Sequence, residues 1–216
     1  MQLDIVSDTV CPWCYIGKRK LDAALAERVS LGKSLDGIEI GWRPYQLDPS
    51  IPAGGYDRRA YMEKKFGPER ARGIGNTIRE MGETLGIDFN FDRIERSPNT
   101  VDSHRLIRWA GTAGVQHRMV DILFRRYFTD GEDIGKADVL VDAAREAEMD
   151  ADIVRELLGT DADRDLIARE DAAAREMGIS GVPSFVINTE YLLVGAQESA
   201  LFVKMFDRLA DIGISA

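Results

Sequence analysis

Strand-forming sequence is concentrated near the two ends of this chain of 216 residues, and helix-forming sequence fills the middle. The predicted elements near the N-terminus are a buried strand over Leu3–Val6, a helix beginning at Pro12 and a strand over Ile38–Tyr45. Those near the other end are strands over Ser184–Asn188 and Tyr191–Gly195, spaced for a hairpin, and an amphipathic helix over Glu198–Leu209. The order β-α-β, then β-β-α, indicates a fold of the α/β class.

The stretch between these two groups is long enough to form a helical domain of its own. Glycines mark most of the predicted helix ends, and the predicted helices are Arg70–Leu85, Thr100–Ala113, Gln116–Thr129, Lys136–Glu148, Ala151–Leu158 and Asp163–Met177. We therefore expect residues 1–55 and 179–216 to form one discontinuous domain. Residues 56–178 are expected to form an all-helical domain inserted into it.

The chain contains two cysteines, Cys11 and Cys14, and both lie at the start of the first predicted helix. Pro12 between them suits the first turn of a helix, because its missing N–H would have no partner there. Cys11 is then the residue before the helix, where its sulfur can accept a hydrogen bond from the N–H of Cys14. The positive end of the helix dipole also favours a thiolate at this position. Cys11 is therefore the predicted nucleophile.

Cys14 lies one turn further along the helix, within the distance that a disulfide spans. We therefore expect a redox pair in which Cys11 attacks an external disulfide and Cys14 resolves the mixed disulfide that forms. Half of a zinc site and a coincidental spacing are the alternatives. Structural zinc takes four protein ligands, and beyond the two cysteines the chain offers only His104 and His117 as soft ligands. No metal is predicted.

The overall charge of the chain argues against nucleic acids and anionic membranes as binding partners. The chain carries 28 basic and 37 acidic residues, a formal net charge of −9, whereas nucleic acids and anionic membranes require a positive face. Its N-terminal residues lack the basic and apolar regions of a secretory signal, and no apolar run has the length of a membrane helix. We expect a cytoplasmic protein, in which a lone cysteine pair is catalytic more often than structural.

Four segments occur in a characteristic order along the whole chain: CPWCYIGK after the first strand, SPNTVDSHRL in the helical block, GISGVPSFVIN before the hairpin and YLLVGAQ after it. Together they resemble the DsbA family of thiol–disulfide oxidoreductases, in its FrnE-like cytoplasmic branch. The resemblance implies a thioredoxin-like fold interrupted by a helical domain. It also implies a cis peptide between Val182 and Pro183, placed against the cysteine pair.

Further site residues follow from this resemblance. Pro12, Trp13 and Pro183 are expected to support the active site, and Trp13 is expected to line the substrate surface. The backbone of Val182 is expected to pair with an extended substrate segment. Asn99 either contacts substrate or caps its helix.

The remaining histidines and tryptophans are expected to be structural. His104 is interpreted as a packed or hydrogen-bonded helix residue and His117 as structural, while Trp42 and Trp109 fit core positions.

The predicted activity is thiol–disulfide exchange with a protein or a small disulfide, without a cofactor other than the cysteine pair. Glutathione is a candidate co-substrate, and glutathione or a thioredoxin-type protein is a candidate recycling partner.

Two other functions are considered. One is a glutathione-linked isomerase or transferase similar to 2-hydroxychromene-2-carboxylate isomerase and the kappa-class glutathione transferases, which typically carry serine at the Cys11 position. The other is a non-enzymatic module that binds extended polypeptide segments.

Overall fold

The computed structural model describes residues 1–211. In chain order, its strands and helices are β1 (Gln2–Ser7), α1 (Pro12–Ser30), β2 (Glu39–Pro44), β3 (Tyr56–Asp57), α2 (Arg58–Phe66), α3 (Pro68–Thr84), β4 (Arg96–Ser97), α4 (Val101–Thr112), α5 (Gln116–Phe128), α6 (Ala137–Glu146), α7 (Ala151–Leu158), α8 (Arg164–Glu176), β5 (Ser184–Ile187), β6 (Tyr191–Val194) and α9 (Ser199–Asp211).

A four-stranded mixed sheet joins the two ends of the chain, in the order β2-β1-β5-β6. β1 pairs in parallel with β2, and a parallel pair needs a crossover connection, which α1 supplies. β1 also pairs antiparallel with β5, and β5 pairs antiparallel with β6. Because β1 lies between β2 and β5, the turn that follows β1 is brought next to the loop that precedes β5. The predicted α/β fold class and the β-α-β, β-β-α order are confirmed.

The helical block contains two features that the sequence pattern did not predict. Residues Arg58–Phe66 form α2, a short helix ahead of the predicted one, and Gly67 separates it from α3 with φ 79°. β3 and β4 pair as a two-stranded antiparallel ribbon. Both features lack a clear apolar period: no residue of α2 is buried, and each ribbon strand is two residues long. Hydrophobic periodicity therefore could not predict α2 or the β3–β4 ribbon.

One hydrophobic cluster runs through both the sheet and the helical block. Tyr15 of α1 stacks on Phe124 of α5, with ring centroids 5.1 Å apart, and lies 5.8 Å from the ring of Phe89. Phe185 of β5 packs edge-to-face on Phe202 of α9 at 4.8 Å, and α9 in turn packs against α1. The first helix therefore packs on the helical block as well as on the chain ends. The division of the chain into two domains at residues 55/56 and 178/179 stays a prediction.

None of the helices within residues 1–211 has both the length and the apolar character required to cross a lipid bilayer.

Candidate active site

The cysteine pair lies where β1 gives way to α1. The Cys11 N–H donates to the carbonyl of Asp8 at 3.0 Å, closing the turn that joins the two elements. Cys11 is the N-cap residue of α1, with extended backbone angles (φ −93°, ψ 111°), and Pro12 occupies the first helical turn. The predicted helix start is therefore confirmed at this residue, and the sulfur of Cys11 lies at the positive end of the helix dipole.

The predicted capping hydrogen bond to the Cys11 sulfur is wrong. The Cys14 N–H donates instead to the Cys11 carbonyl oxygen at 3.0 Å, and the side chain of Cys11 caps no N–H of the helix. The Cys11 thiol points across to the loop before β5, where it donates to the carbonyl of Val182 with a sulfur–oxygen distance of 3.7 Å. The sulfur is therefore directed at the neighbouring loop rather than back along its own helix.

That neighbouring loop carries the Val182–Pro183 peptide, which is cis, as the resemblance implied. Two hydrogen bonds hold it: the Ser184 hydroxyl donates to the Gly181 carbonyl at 2.8 Å, and the Gly195 N–H donates to the Pro183 carbonyl at 2.8 Å. Pro183 is buried, whereas Val182 is partly exposed beside Cys11. The structure thus brings four of the predicted site residues together: Cys11, Cys14, Val182 and Pro183.

Gly17 allows α1 to approach this loop closely. A Cβ at position 17 would lie 2.9 Å from Cγ of Pro183 and 3.4 Å from the ring of Phe185. The atoms it would meet belong to a rigid proline ring and a fully buried phenylalanine, so neither can move away without displacing the loop. Gly17 is therefore a residue of the site that sequence reasoning missed.

We expect Gly17→Ala to lower disulfide turnover by about tenfold, because pushing Pro183 away from α1 misplaces the group opposite Cys11. Overpacking costs about 1–3 kcal/mol, but alanine is about 1 kcal/mol better than glycine within a helix. The net change in unfolding free energy should therefore be small. The unfolding free energy from urea titration and the rate of insulin reduction, both measured on the same preparation, check this prediction. A loss of turnover that the loss of unfolding free energy fully accounts for would contradict it.

Cys14 is sealed behind Cys11. Its side chain is 1% exposed, against 4% for Cys11, and both cysteines are free thiols. Burial raises the pKa of the Cys14 thiol well above its usual value, and the neighbouring Cys11 raises it further. The Ser7 hydroxyl and the Asp8 backbone oppose this by hydrogen-bonding the Cys14 sulfur. Cys14 is therefore a protonated thiol at neutral pH until something removes its proton.

Cys11 opens onto a large cleft, of about 1340 Å³, between the β1–α1 turn and the helices α2 and α3. Trp13 lines this cleft and is 37% exposed, and Val182 lines it from the opposite side. Apolar side chains of the two helices form much of the far wall, among them Met62, Phe66 and Ile74. Sequence analysis missed this wall, because the apolar residues of α3 are equally typical of a core-facing helix and those of α2 follow no clear apolar period.

The cleft is more basic than the chain as a whole. Six basic side chains line it: Arg58, Arg59, Lys65, Arg70, Arg72 and Arg79. Four acidic side chains accompany them: Asp8, Asp48, Glu63 and Asp92. An excess of positive charge in a protein of net charge −9 favours substrates that carry carboxylates near their sulfur.

Asn99 makes its hydrogen bonds within the protein. Its amide nitrogen donates to the carbonyl of Ile51 at 2.6 Å, and its side-chain oxygen accepts from the N–H of Val101 at 3.0 Å. Neighbouring Pro98 and Thr100 line the cleft, but Asn99 is not among the lining residues. The observed contacts match the capping interpretation, and a substrate contact by Asn99 stays a prediction.

The two histidines have different surroundings. Nε2 of His117 hydrogen-bonds the carboxylate of Asp22 at 2.7 Å, and Nδ1 of His117 accepts from the Trp42 indole N–H at 3.3 Å. His104 is 3% exposed and lies 3.6 Å from the carboxylate of Asp8, which is 1% exposed. Asp8 was not recognised in the sequence, although a carboxylate three residues before the cysteine pair was a signal that it would lie near the thiols.

Within residues 1–211, no group of three or more histidine, cysteine or acidic side chains is arranged to hold a metal ion.

Comparison with known proteins gives a consistent result. The sequence model of the DSBA-like thioredoxin domain matches residues 2–207. The uncharacterized protein YwbO of Bacillus subtilis is 26% identical over 205 residues, covering 94% of each chain. The crystal structure of a probable DsbA oxidoreductase from Streptomyces coelicolor is 28% identical and superposes with a TM-score of 0.84, covering 96% of this chain and 89% of that one.

Two more distant structures share the fold. A 2-hydroxychromene-2-carboxylate isomerase superposes with a TM-score of 0.71 at 13% identity, covering 100% of both chains. The cytosolic disulfide reductase DsbM from Pseudomonas aeruginosa, in a structure with GSH, superposes with a TM-score of 0.62 at 18% identity. These matches cover 96% of this chain and 95% of DsbM.

Proposed function

Since the chain belongs to the DSBA-like thioredoxin domain family, we propose that it is a thiol–disulfide oxidoreductase in which Cys11 attacks and Cys14 resolves. The observation that carries this assignment is the asymmetry of the two thiols. Cys11 lies at the helix N-terminus and lines the open cleft, whereas Cys14 is sealed behind it. A nucleophile must reach the substrate, and a resolving thiol must reach only the nucleophile.

The reaction follows from this arrangement. The Cys11 thiolate attacks one sulfur of a substrate disulfide, a new bond forms between the two sulfurs, and the other substrate sulfur leaves as a thiolate. Cys14, after losing its proton, attacks the sulfur of Cys11, forms the internal disulfide and releases the second substrate thiolate. Two electrons pass to the substrate. Run in reverse, the same steps oxidise a dithiol.

The loop before β5 supplies the main contact for substrate backbone. Val182 is partly exposed beside Cys11, and its main-chain groups are placed to pair with an extended segment that carries the reacting sulfur. Trp13 offers an exposed aromatic surface on the other side of the sulfur. We propose Pro12 and Pro183 as the residues that fix these two walls.

Glutathione is the proposed small-molecule co-substrate. It carries two carboxylates close to its thiol, which suits the excess of basic side chains in the cleft. The proposal is supported by DsbM, a protein of similar fold for which a structure with GSH is known. The cleft volume of about 1340 Å³ also leaves room for a longer polypeptide segment. We propose a cytoplasmic location and a glutathione- or thioredoxin-type recycling partner.

The shared fold of the 2-hydroxychromene-2-carboxylate isomerase keeps a glutathione-linked isomerase as a second candidate. That chemistry needs glutathione bound beside the helix N-terminus but does not need a resolving thiol. The two functions therefore predict opposite results for the removal of Cys14.

Cys14→Ser is expected to lower the multiple-turnover reduction of insulin by at least about tenfold, because the mixed disulfide on Cys11 is no longer resolved from within. The covalent adduct should accumulate and be seen by mass spectrometry, with the mass of one substrate thiol. An isomerase would keep its activity in this variant. Undiminished disulfide turnover without an adduct would overturn the proposed roles of the pair.

A further inference from the structure

The basic side chains that line the substrate cleft differ in their partners and in their burial. Two are already paired: Arg59 with Glu63 at 3.0 Å, and Arg79 with Asp92 at 2.9 Å. Three others are exposed to solvent, where water and salt screen their charge: Lys65, Arg70 and Arg72. Arg58 is the remaining one. It is partly buried, and within residues 1–211 its guanidinium makes no ion pair with a carboxylate.

Arg58 is held in place at both ends. Its backbone N–H donates to the carbonyl of Glu95 at 2.9 Å, and Nη1 of its guanidinium donates to the hydroxyl of Tyr127 at 2.8 Å. The central carbon of the guanidinium lies 5.7 Å from the ring centroids of both Phe91 and Tyr127, within the range of cation–π contacts. A side chain that is already ordered loses less conformational entropy when it binds a ligand.

The partner of this guanidinium does not neutralise its charge. Burial raises the pKa of the Tyr127 phenol, and the negative charge of Asp8 adds to this against the opposing charge of Arg58. The phenol is therefore protonated at neutral pH, and it donates its own proton to the carbonyl of Arg96 at 3.3 Å. A guanidinium has five N–H donors, and Tyr127 is the one acceptor that the Arg58 side chain bonds within residues 1–211. The other donors are available to a ligand.

Arg58 and Cys11 line the same cleft. Tyr127, which Arg58 contacts, lies close enough to Asp8 to be affected by its charge. The carbonyl of Asp8 in turn accepts from the Cys11 N–H at 3.0 Å. A substrate whose sulfur lies at Cys11 can therefore extend its attached groups toward Arg58.

We propose that Arg58 binds a carboxylate of the substrate, so that the protein prefers small disulfides that carry a carboxylate a few bonds from the sulfur. The inference rests on the proposed function, in which Cys11 is the nucleophile. A planar guanidinium can donate two parallel hydrogen bonds to the two oxygens of a carboxylate. Arg58 is thus a substrate-binding residue that sets specificity.

The exchange reaction itself is unchanged by this contact. The Cys11 thiolate attacks the near sulfur of the bound disulfide and a new sulfur–sulfur bond forms. The old sulfur–sulfur bond breaks, and its electron pair leaves with the second substrate thiolate. Arg58 neither gains nor loses a proton or an electron, so its effect is on binding and on the position of the disulfide.

The test uses three small disulfides on the full-length reduced protein. In each of them two methylene groups join the sulfur to the end group, which is a carboxylate in dithiodipropionate, a hydroxyl in bis(hydroxyethyl) disulfide and an ammonium in cystamine. The rate of loss of protein thiols is measured with each disulfide in excess, by alkylation and mass spectrometry. Each variant is compared with wild type for the same disulfide, which removes the intrinsic reactivity of the reagent.

Arg58→Gln is expected to slow the reaction with dithiodipropionate about 10- to 100-fold, the usual effect of losing a hydrogen bond to a charged group, and to leave bis(hydroxyethyl) disulfide within about twofold. The reaction with cystamine should not slow, because a repelling cation has been removed. Arg58→Lys keeps the charge without the planar pair of donors and should lose less with the anionic disulfide. This variant also carries the test if the glutamine variant does not fold.

Arg59→Gln is the matched control. It removes the same charge from the adjacent position of α2, but Arg59 is exposed and already paired with Glu63. Rates with all three disulfides should therefore stay within about twofold of wild type.

An unchanged rate with dithiodipropionate in Arg58→Gln would overturn the inference. So would an equal loss with the anionic and the neutral disulfide, which is the signature of a distorted site. An equal loss with dithiodipropionate in Arg59→Gln would also overturn it and would assign the preference to the overall charge of the cleft. Failure of the proposed function looks different: the wild-type thiols would then react with all three disulfides no faster than cysteine free in solution.

Discussion

Cys11→Ser is expected to reduce insulin reduction and Ellman's reagent turnover on the order of 10³-fold or more, to the rate of the uncatalysed exchange. A neutral serine hydroxyl does not attack a disulfide, and removal of a covalent nucleophile costs effects of this size or larger. Cys14 does not replace it, because its thiol is sealed from the cleft and protonated at neutral pH. The measurement is the steady-state rate with insulin and glutathione, compared with wild type.

The loss of activity in Cys11→Ser should not arise from a loss of protein stability. The side chain of Cys11 caps no N–H of α1, and its single polar contact is a weak thiol bond to the Val182 carbonyl. Serine is smaller and retains a donor for that carbonyl, so the unfolding free energy should change by less than about 1 kcal/mol. Turnover that persists in a folded Cys11→Ser protein would remove the proposed nucleophile. Wild-type protein without disulfide turnover would favour the non-enzymatic binding module instead.

Arg105→Met is expected to destabilise the protein by about 3–5 kcal/mol, the usual cost of breaking a buried charged network. Arg105 is fully buried. Its guanidinium donates to the carbonyls of Leu157, Thr160 and Ala162 at 2.6–2.8 Å, and it pairs with Asp102 at 2.8 Å. Methionine has similar length but leaves these acceptors without a donor. A lower urea midpoint with an unchanged m-value is the expected readout.

Arg108→Met is the matched control, because Arg108 lies one turn further along the same helix with a side chain that is 40% exposed. Its ion pair with Glu170 at 3.2 Å is of the solvent-exposed kind, and its loss should cost less than about 1 kcal/mol. A loss below about 1 kcal/mol for Arg105→Met would contradict the assigned role. That role matters for the site, because the anchored loop fixes α4 and with it His104.

The position of the cysteine pair could be predicted because its causes are local. Pro12 fits a helix start wherever the helix lies, so Cys11 at the N-cap follows from its neighbours in sequence. The order of the strands in the four-stranded sheet and of the helices other than α2 could likewise be predicted from apolar spacing. The direction of the Cys11 side chain was not, since it depends on Val182, a residue 171 positions away.

The far wall of the cleft depends on packing between distant segments. α2 and α3 carry apolar residues that suit either a core or an open cleft, and only their distance from the β1–α1 turn distinguishes the two. Gly17 likewise has no sequence signal, because its need for a bare backbone arises from the approach of Pro183. Asp8 and His104 are 96 positions apart in the sequence and come close to each other only in the folded protein.

The helix that begins at a cysteine, the strands at both chain ends and the thiol chemistry of the pair could all be predicted from the amino-acid sequence. These features depend on backbone preferences and spacing over a few residues. The folded protein is needed to see which thiol faces the cleft, which charges line the cleft and which acidic and basic side chains lie close together behind it. Those properties depend on burial and on distances between side chains, and segments far apart in the chain acquire both only when the sheet and helices pack together.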